Sequence, residues 1–296
     1  MDHKQFVAQI PPDTRTRLLM RSDRAGLRHL ALHCGLIAVC SGLILARIPF
    51  WWLLLPVQGI LLIFNFTLLH ECTHQTPFHS RWLNEIVGWF TGFLVGLPFL
   101  WFRYFHLAHH KYTNDPARDP ELVGGGKPET WQAYVWHISG LPVWASQART
   151  LMANIFGGDI EFAPRSARTK IRVESVIIVF LYSVTASYIV FGSTMPIKLW
   201  ILPLLLGQPI LRLYLLAEHG RCPMVANMLE NSRTTFTNRF VRFVAWNMPY
   251  HAEHHSYPNV PFHQLPTLHE YAKPHLKTTS DGYVAFHREY ISPTGV

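Results

Sequence analysis

Four apolar runs constrain this chain more than any other feature. Residues 27–46, 50–69, 173–191 and 197–217 hold few charges and approach the roughly 20 residues a helix needs to cross a hydrocarbon core. Buried helices of a large soluble protein are the alternative, but four such runs in 296 residues leave too little chain to cover them. Only 15% of the residues are charged, against about 25% in average globular proteins, so much of the surface does not face water. The expected fold is all-α and integral to a membrane, with four transmembrane helices in two hairpins. "ARIPF" turns the first hairpin and 192–198 the second, with Trp51, Trp52 and Trp200 beside them as an aromatic belt.

A fifth run, 86–102, is borderline in length and interrupted by Gly88, Gly92, Gly96 and Pro98. The polar regions 103–170 and 218–296 read as a cap, within which 129–156 mixes Trp and aliphatic residues with polar ones, as interfacial helices do. There is no repeat or low-complexity segment, so 1–296 is expected to be a single membrane domain. The first 26 residues are basic (Lys4, Arg15, Arg17, Arg21, Arg24) and lack the pattern of a cleavable signal peptide. By the positive-inside bias they place the N-terminus, and with it the cap, in the cytoplasm. The net charge of +8 lies outside the spans and suits anionic headgroups, while its residues follow no nucleic-acid-binding module. Cys34, Cys40, Cys72 and Cys222 form neither a C-x-x-C pair nor a disulfide framework.

Chemistry concentrates in the histidines. Eight of the 18 fall in three clusters: His70/His74 in "HECTH", His106/His109/His110 in "HLAHH" and His251/His254/His255 in "HAEHH". Spacings of three and four return side chains to one helix face, so each cluster can aim its imidazoles at one point. "HECTH" alone matches the H-E-x-x-H zinc-protease pattern, with Glu71 as base. Catalytic zinc needs only about three protein ligands, and that reading leaves the other two clusters idle. A metal transporter would carry its ligands within the spans rather than at their ends. Eight imidazoles imply two metals, and nitrogen-rich sites with open positions suit iron handling dioxygen. All ligands of one centre must share a side of the membrane, so 86–102 must dip and return or lie in the interface. His219, at the end of the fourth run, is a further candidate ligand on that side. Ligating histidines usually give their other N–H to a carboxylate or carbonyl. The candidates for that role are Glu71, Asp115, Asp119, Glu218 and Glu253, with Asn247 in "WNMPYH" as another.

These clusters, with "HECTHQTPF", "WFRYFHLAHHKYTNDPARDPEL" and "WNMPYHAEHHSYPNVPFHQLP" around them, resemble the membrane fatty acid desaturase superfamily. That group of histidine-box diiron oxygenases also includes alkane hydroxylases and carotenoid ketolases. The resemblance runs from about Asn65 to His269, and the flanking words are most similar to a bacterial branch that includes a rhizobitoxine-type desaturase. It implies nine metal ligands: His70, His74, His106, His109, His110, His251, His254, His255 and, as the family's extra ligand, His219. One turn before that extra ligand some desaturases carry an Asn; here the position is Leu215, as in coordination of the hydroxylase kind. The implied enzyme is an O2-dependent diiron desaturase of an acyl or lipid-like aliphatic substrate. A diiron hydroxylase, monooxygenase or ketolase acting on an alkane, carotenoid or small amphiphile is the alternative. Two Fe ions would be the cofactors and O2 the co-substrate, in a bacterial inner membrane. No cytochrome b5 motif, ferredoxin-like cysteine set or flavin fingerprint is present, so the expected electron donor is an external ferredoxin, or a similar carrier, with its reductase.

Overall fold

The computed structural model describes residues 1–292 and is predominantly helical; the end of the expected cap, 293–296, lies outside the described residues. Among the described residues, four stretches are long and apolar enough to cross a membrane: Asp23–Leu45, Trp51–His74, Arg165–Val190 and Ile197–His219. They coincide with the four apolar runs but reach further, so the second and the fourth both end on a histidine. The first is α1 (Asp23–Leu45), and the second holds α2 (Leu54–Ile63) and α3 (Asn65–His74). Then come α4 (Arg81–Val95), α5 (Phe99–Tyr112), α6 (Trp131–Ile138), α7 (Leu141–Phe156) and the third span, α8 (Arg165–Val190). The fourth contains α9 (Leu202–His219), followed by α10 (His251–Ser256), α11 (Leu265–Ala272) and α12 (Tyr283–Tyr290). The two-residue strands β1 (Thr234–Thr235) and β2 (Thr279–Ser280) pair in parallel.

The spans divide into an inner and an outer pair. Over their most apolar windows, 17% of the first and of the third is buried in protein, against 61% of the second. Leu32, Leu36 and Val39 on α1, and Phe180, Val184 and Val190 on α8, therefore face outward, where hydrocarbon satisfies them. The inner pair, α2 and α9, packs along its length. A Cβ on Gly59 would stand 2.1 Å from the Pro203 carbonyl oxygen, and one on Gly207 would stand 2.3 Å from that of Gly59. Only glycine permits so close an approach, the usual device where helices associate in lipid. This crossing alters the expected second hairpin. The 191–196 connection is short, but α9 packs on α2, whereas α8 packs on α7 and α5.

The second span is broken at Phe64 without a proline. The Asn65 amide instead donates back to the carbonyls of Leu61 (3.1 Å) and Leu62 (3.0 Å), satisfying acceptors that the interrupted ladder releases.

The 86–102 run forms neither a straight span nor a loop. Helices α4 and α5 meet at 98°, with Gly96 at φ 82 in the left-handed region and Pro98 just before α5. A bend at membrane depth exposes the carbonyls that end one helix and the N–H groups that start the next. Here both sets are met. Tyr182 Oη donates to Phe93 O (2.6 Å) and Trp200 Nε1 to Leu94 O (2.8 Å). The N–H groups of Phe99 and Leu100 each donate to the Glu174 carboxylate of α8, at 2.9 Å. Glu174 is 4% exposed, so this is a buried, charge-assisted anchor.

Glu174→Ala should therefore lower stability by about 2–3 kcal/mol, the usual worth of hydrogen bonds to a buried charged group. Thermal unfolding in detergent measures the loss, with Glu174→Gln falling between the two; a wild-type midpoint for Glu174→Ala would mean that the carboxylate does not hold the bend.

Candidate metal centre

Each histidine cluster occupies a helix, and each helix delivers it to the same place. His70 and His74 lie on the last turns of α3, and His106, His109 and His110 on the second half of α5. His219 ends α9, and His251, His254 and His255 lie on α10. The bend between α4 and α5 returns the chain, so that His106 Nε2 stands 2.9 Å from His74 Nε2. Two groups form. His70, His74, His106, His110 and His254 each offer a nitrogen within 4.8 Å of all the others, and so do His109, His219 and His255. His251 joins the second group, its Nε2 being 2.9 Å from His219 Nε2. The groups touch: the His110 and His255 rings stack at 4.0 Å, and His254 Nε2 is 3.2 Å from His110 Nε2. Seven of the nine histidines are buried, and His74 and His110 are partly exposed.

The tautomers of the second group follow from their outer partners. His109 Nδ1 donates to the Asp119 carboxylate (2.9 Å) and His219 Nδ1 to the Asn231 carbonyl (3.1 Å). The Thr113 hydroxyl gives its proton to His109 O (2.8 Å) and so accepts from His255 Nδ1 (3.3 Å). Each ring therefore carries its hydrogen on Nδ1 and presents a bare Nε2 lone pair. With both rings neutral, the lone pairs of His109 and His219 face each other at 3.2 Å with no hydrogen between them. Such an arrangement is repulsive unless a cation is shared. Two nitrogens each about 2.1 Å from one metal, at right angles, lie about 3.0 Å apart, close to the spacings found. In the first group both ring nitrogens of buried His70 lack a hydrogen-bond partner, as does His254 Nδ1. Unpaired buried polar atoms on this scale are costly, and the donor set fits two transition-metal ions.

Burial pushes His251, His254 and His255 well below the ordinary imidazole value, and the neighbouring imidazoles push the same way. The charged form is disfavoured, so these rings keep the neutral lone pairs that a metal requires.

The six candidates for an outer role divide. Asp119 holds His109, Glu218 Oε1 lies 3.4 Å from His251 Nδ1, and fully buried Glu71 lies 3.7 Å from His254 Nδ1. The remaining Glu71 oxygen accepts from Thr76 Oγ1 and Phe262 N, both at 3.1 Å. Asp115 instead pairs with Arg118 and caps Ala117 N, away from the histidines, because the turn after α5 points it outward. Glu253 faces the reverse side of α10, where Thr234 and His269 bond it. Asn247, at φ 59, shapes the turn before α10 and donates to Phe262 O (3.0 Å). Asn231 and Thr113 were not anticipated. Thr113 directly follows "HLAHHKY", and adjacency alone could have flagged it; Asn231 stands in "MLENSRTTF", which carries no such signal.

Residues 47–287 match the family model described as fatty acid desaturase. Among curated proteins, the fatty acid conjugase FAC2 A of Calendula officinalis is 25% identical, over 93% of this chain and 83% of its own length. The sphingolipid delta(4)-desaturase DES1 of Mus musculus is also 25% identical, over 91% of this chain and 80% of its own. The sn-1 oleoyl-lipid 12-desaturase of Arthrospira platensis is 24% identical, over 73% and 67%.

Because these buried rings bind protons less readily when folded, the unfolded chain takes up more protons once the pH falls below about 6.5. The stability of metal-free protein is then full above that value and is lost as the pH falls toward the depressed folded values. Chelator-treated protein should melt at a constant temperature from about pH 8 to 7, and at steadily lower temperatures from about pH 6.5 to 5. A midpoint that does not move over the acidic range would contradict the neutral, desolvated state of the rings.

Proposed function

The chain belongs to the fatty acid desaturase family, and on that premise we propose that it is an O2-dependent diiron desaturase of an acyl or lipid-like aliphatic substrate. Membership makes it an oxidoreductase, and its four apolar spans make it an integral membrane enzyme. The observation that carries the finer reading is the convergence of bare Nε2 lone pairs from His109 and His219, each with its opposite nitrogen already committed. His70, His74, His106, His110 and His254 would hold one iron, and His109, His219, His251 and His255 the other. Imidazole-rich donors with open positions suit iron among the common metals. When bound, the irons supply the dioxygen chemistry needed to break an unactivated C–H bond.

The protein's own part is orientation and exclusion. Asp119, Asn231 and Thr113 fix three tautomers, while Glu71 and Glu218 set negative charge beside His254 and His251. Burial of most of the rings keeps water from competing for the centre. The relatives named for oleoyl-lipid and sphingolipid support a lipid-like substrate. The single domain works with its N-terminus and histidine-bearing helix ends in the cytoplasm of a bacterial inner membrane. An external ferredoxin, or similar carrier, with its reductase delivers electrons there. Leu215, one turn before His219, favours a second reading on the same scaffold: hydroxylation or ketone formation on an alkane, carotenoid or small amphiphile.

Metal analysis of detergent-purified protein should find about two irons per chain; one zinc and no iron would sink the proposal. His109→Ala and His254→Ala should lose iron, while His79→Ala, at an exposed position, should retain it. Lipid and metabolite profiling of an expressing strain with a matched ferredoxin system separates the two readings: new double bonds favour desaturation, new hydroxyls or ketones the alternative.

A further inference from the structure

A cavity lies beside the α4–α5 bend, and the reaction proposed above does not use it. Its volume is about 370 Å³, within the range of small-ligand sites, and its walls come from α7, α8, the fourth span and the bend itself. Gly96, Tyr182 and Trp200 line it, so the two side chains that hold the freed carbonyls of Phe93 and Leu94 also face this space. Leu204, in the same wall, precedes His219 by 15 residues on α9, which is roughly 22 Å of helix. The cavity is therefore remote from the histidine centre. Its lining is almost wholly apolar, and Ala186, Ile201 and Leu205 in that lining are also exposed on the two last spans. What enters comes from the hydrocarbon.

One polar atom interrupts the lining. Gln147 Oε1, on α7, is sealed from solvent and has no hydrogen-bond partner. It lies close against the bend, since a Cβ on Gly96 would stand 3.3 Å from it. The surrounding wall offers it no hydrogen. Tyr182 Oη donates to Phe93 O, Trp200 Nε1 to Leu94 O and Thr185 Oγ1 to Leu181 O (3.0 Å). A buried acceptor left bare is costly. A trapped water would need about two to four polar partners, and the other polar groups here are already bonded. A ligand that satisfies Gln147 must bring its own donor on an otherwise apolar body.

We propose that this cavity binds a neutral lipid alcohol drawn from the bilayer, its hydroxyl donating to Gln147 Oε1 and its hydrocarbon filling the space between α7, α8 and α9. A hydroxyl supplies the hydrogen without charge, whereas an ammonium would carry a charge into this lining at a large cost. Because Gly96, Tyr182 and Trp200 form part of the wall, the bound alcohol packs against the bend that returns the second histidine cluster. Binding to the folded form alone then stabilises it. The inference stands apart from the metal reading and from the choice of substrate.

Photolabelling of the purified protein in lipid nanodiscs with a diazirine-bearing dodecanol tests the assignment. Mass spectrometry should place the label on cavity residues of α7, α8 or the fourth span. At equal mole fraction in the bilayer, unlabelled 1-dodecanol should compete at least about fivefold better than dodecyl methyl ether, which keeps the oxygen but has no hydrogen to donate. Thermal unfolding should shift to higher temperature with the alcohol and less with the ether. Gln147→Leu should level the two competitors, and Leu204→Trp, which narrows the space, should reduce labelling. Should Gln147→Leu fail to fold, the wild-type competition decides alone. Label confined to the separate apolar cavity between α2, α9 and α12, equal competition by the ether, or labelling undiminished by Leu204→Trp would each overturn the proposal. So would an alcohol preference that survives Gln147→Leu. Iron content of the same preparations keeps the two readings apart: full iron without an alcohol preference removes only this inference.

Discussion

Lone pairs that face one another inside protein repel, and this fold is arranged around that conflict. When neutral, His109 and His219 point bare nitrogens at each other because Asp119 and Asn231 take the hydrogens on their far sides. The three partners that accept from Nδ1 come from chain just beyond a histidine-bearing helix: Thr113 and Asp119 after α5, Asn231 after α9. A cation bound between them would convert the repulsion into an interaction that holds four separate segments together. The reverse face of α10 is secured independently, through Glu253 to Thr234 and His269, so the third cluster is held from behind as well as from the centre.

Delivering all nine rings to one place is a problem of topology as much as of chemistry. The chain between His74 and His106 has to leave and come back, and the α4–α5 bend accomplishes this. What makes the bend tolerable is that its freed carbonyls find Tyr182 and Trp200 while its freed N–H groups find Glu174. Three residues of the last two spans thus support a helix that carries the second cluster, and the outer span α8 gains a structural role besides facing lipid.

The spans and the histidine clusters were legible in the sequence because both are periodic signals: apolar length for the first, spacings of three and four for the second. The need for a returning 86–102 segment was legible too, from the requirement that ligands share a side. What stayed hidden is carried by contacts with no local pattern. Glu174 looks like a stray charge in an apolar run, yet its partner Phe99 is 75 residues away. Asn231 acts through His219 and through Thr113, the latter 118 residues distant. Proximity in sequence misled for Asp115 and Glu253, which sit among histidines but leave the helix in other directions. The second hairpin was expected from its short connection, whereas the glycines at 59 and 207 decided which helices touch.

That glycine crossing separates the centre from its solvent. The membrane here is a variable medium, since bilayers differ in thickness and a mismatched span answers by tilting. Spans α1 and α8, mostly bathed in hydrocarbon, take up such adjustments. The inner pair leads to His70 and His74 at one helix end and to His219 at the other, and its two backbones interlock where side chains would have allowed slip. Changes in lipid composition therefore reach the outer helices first, while the spacing between the histidines of the second and fourth spans is insulated from them.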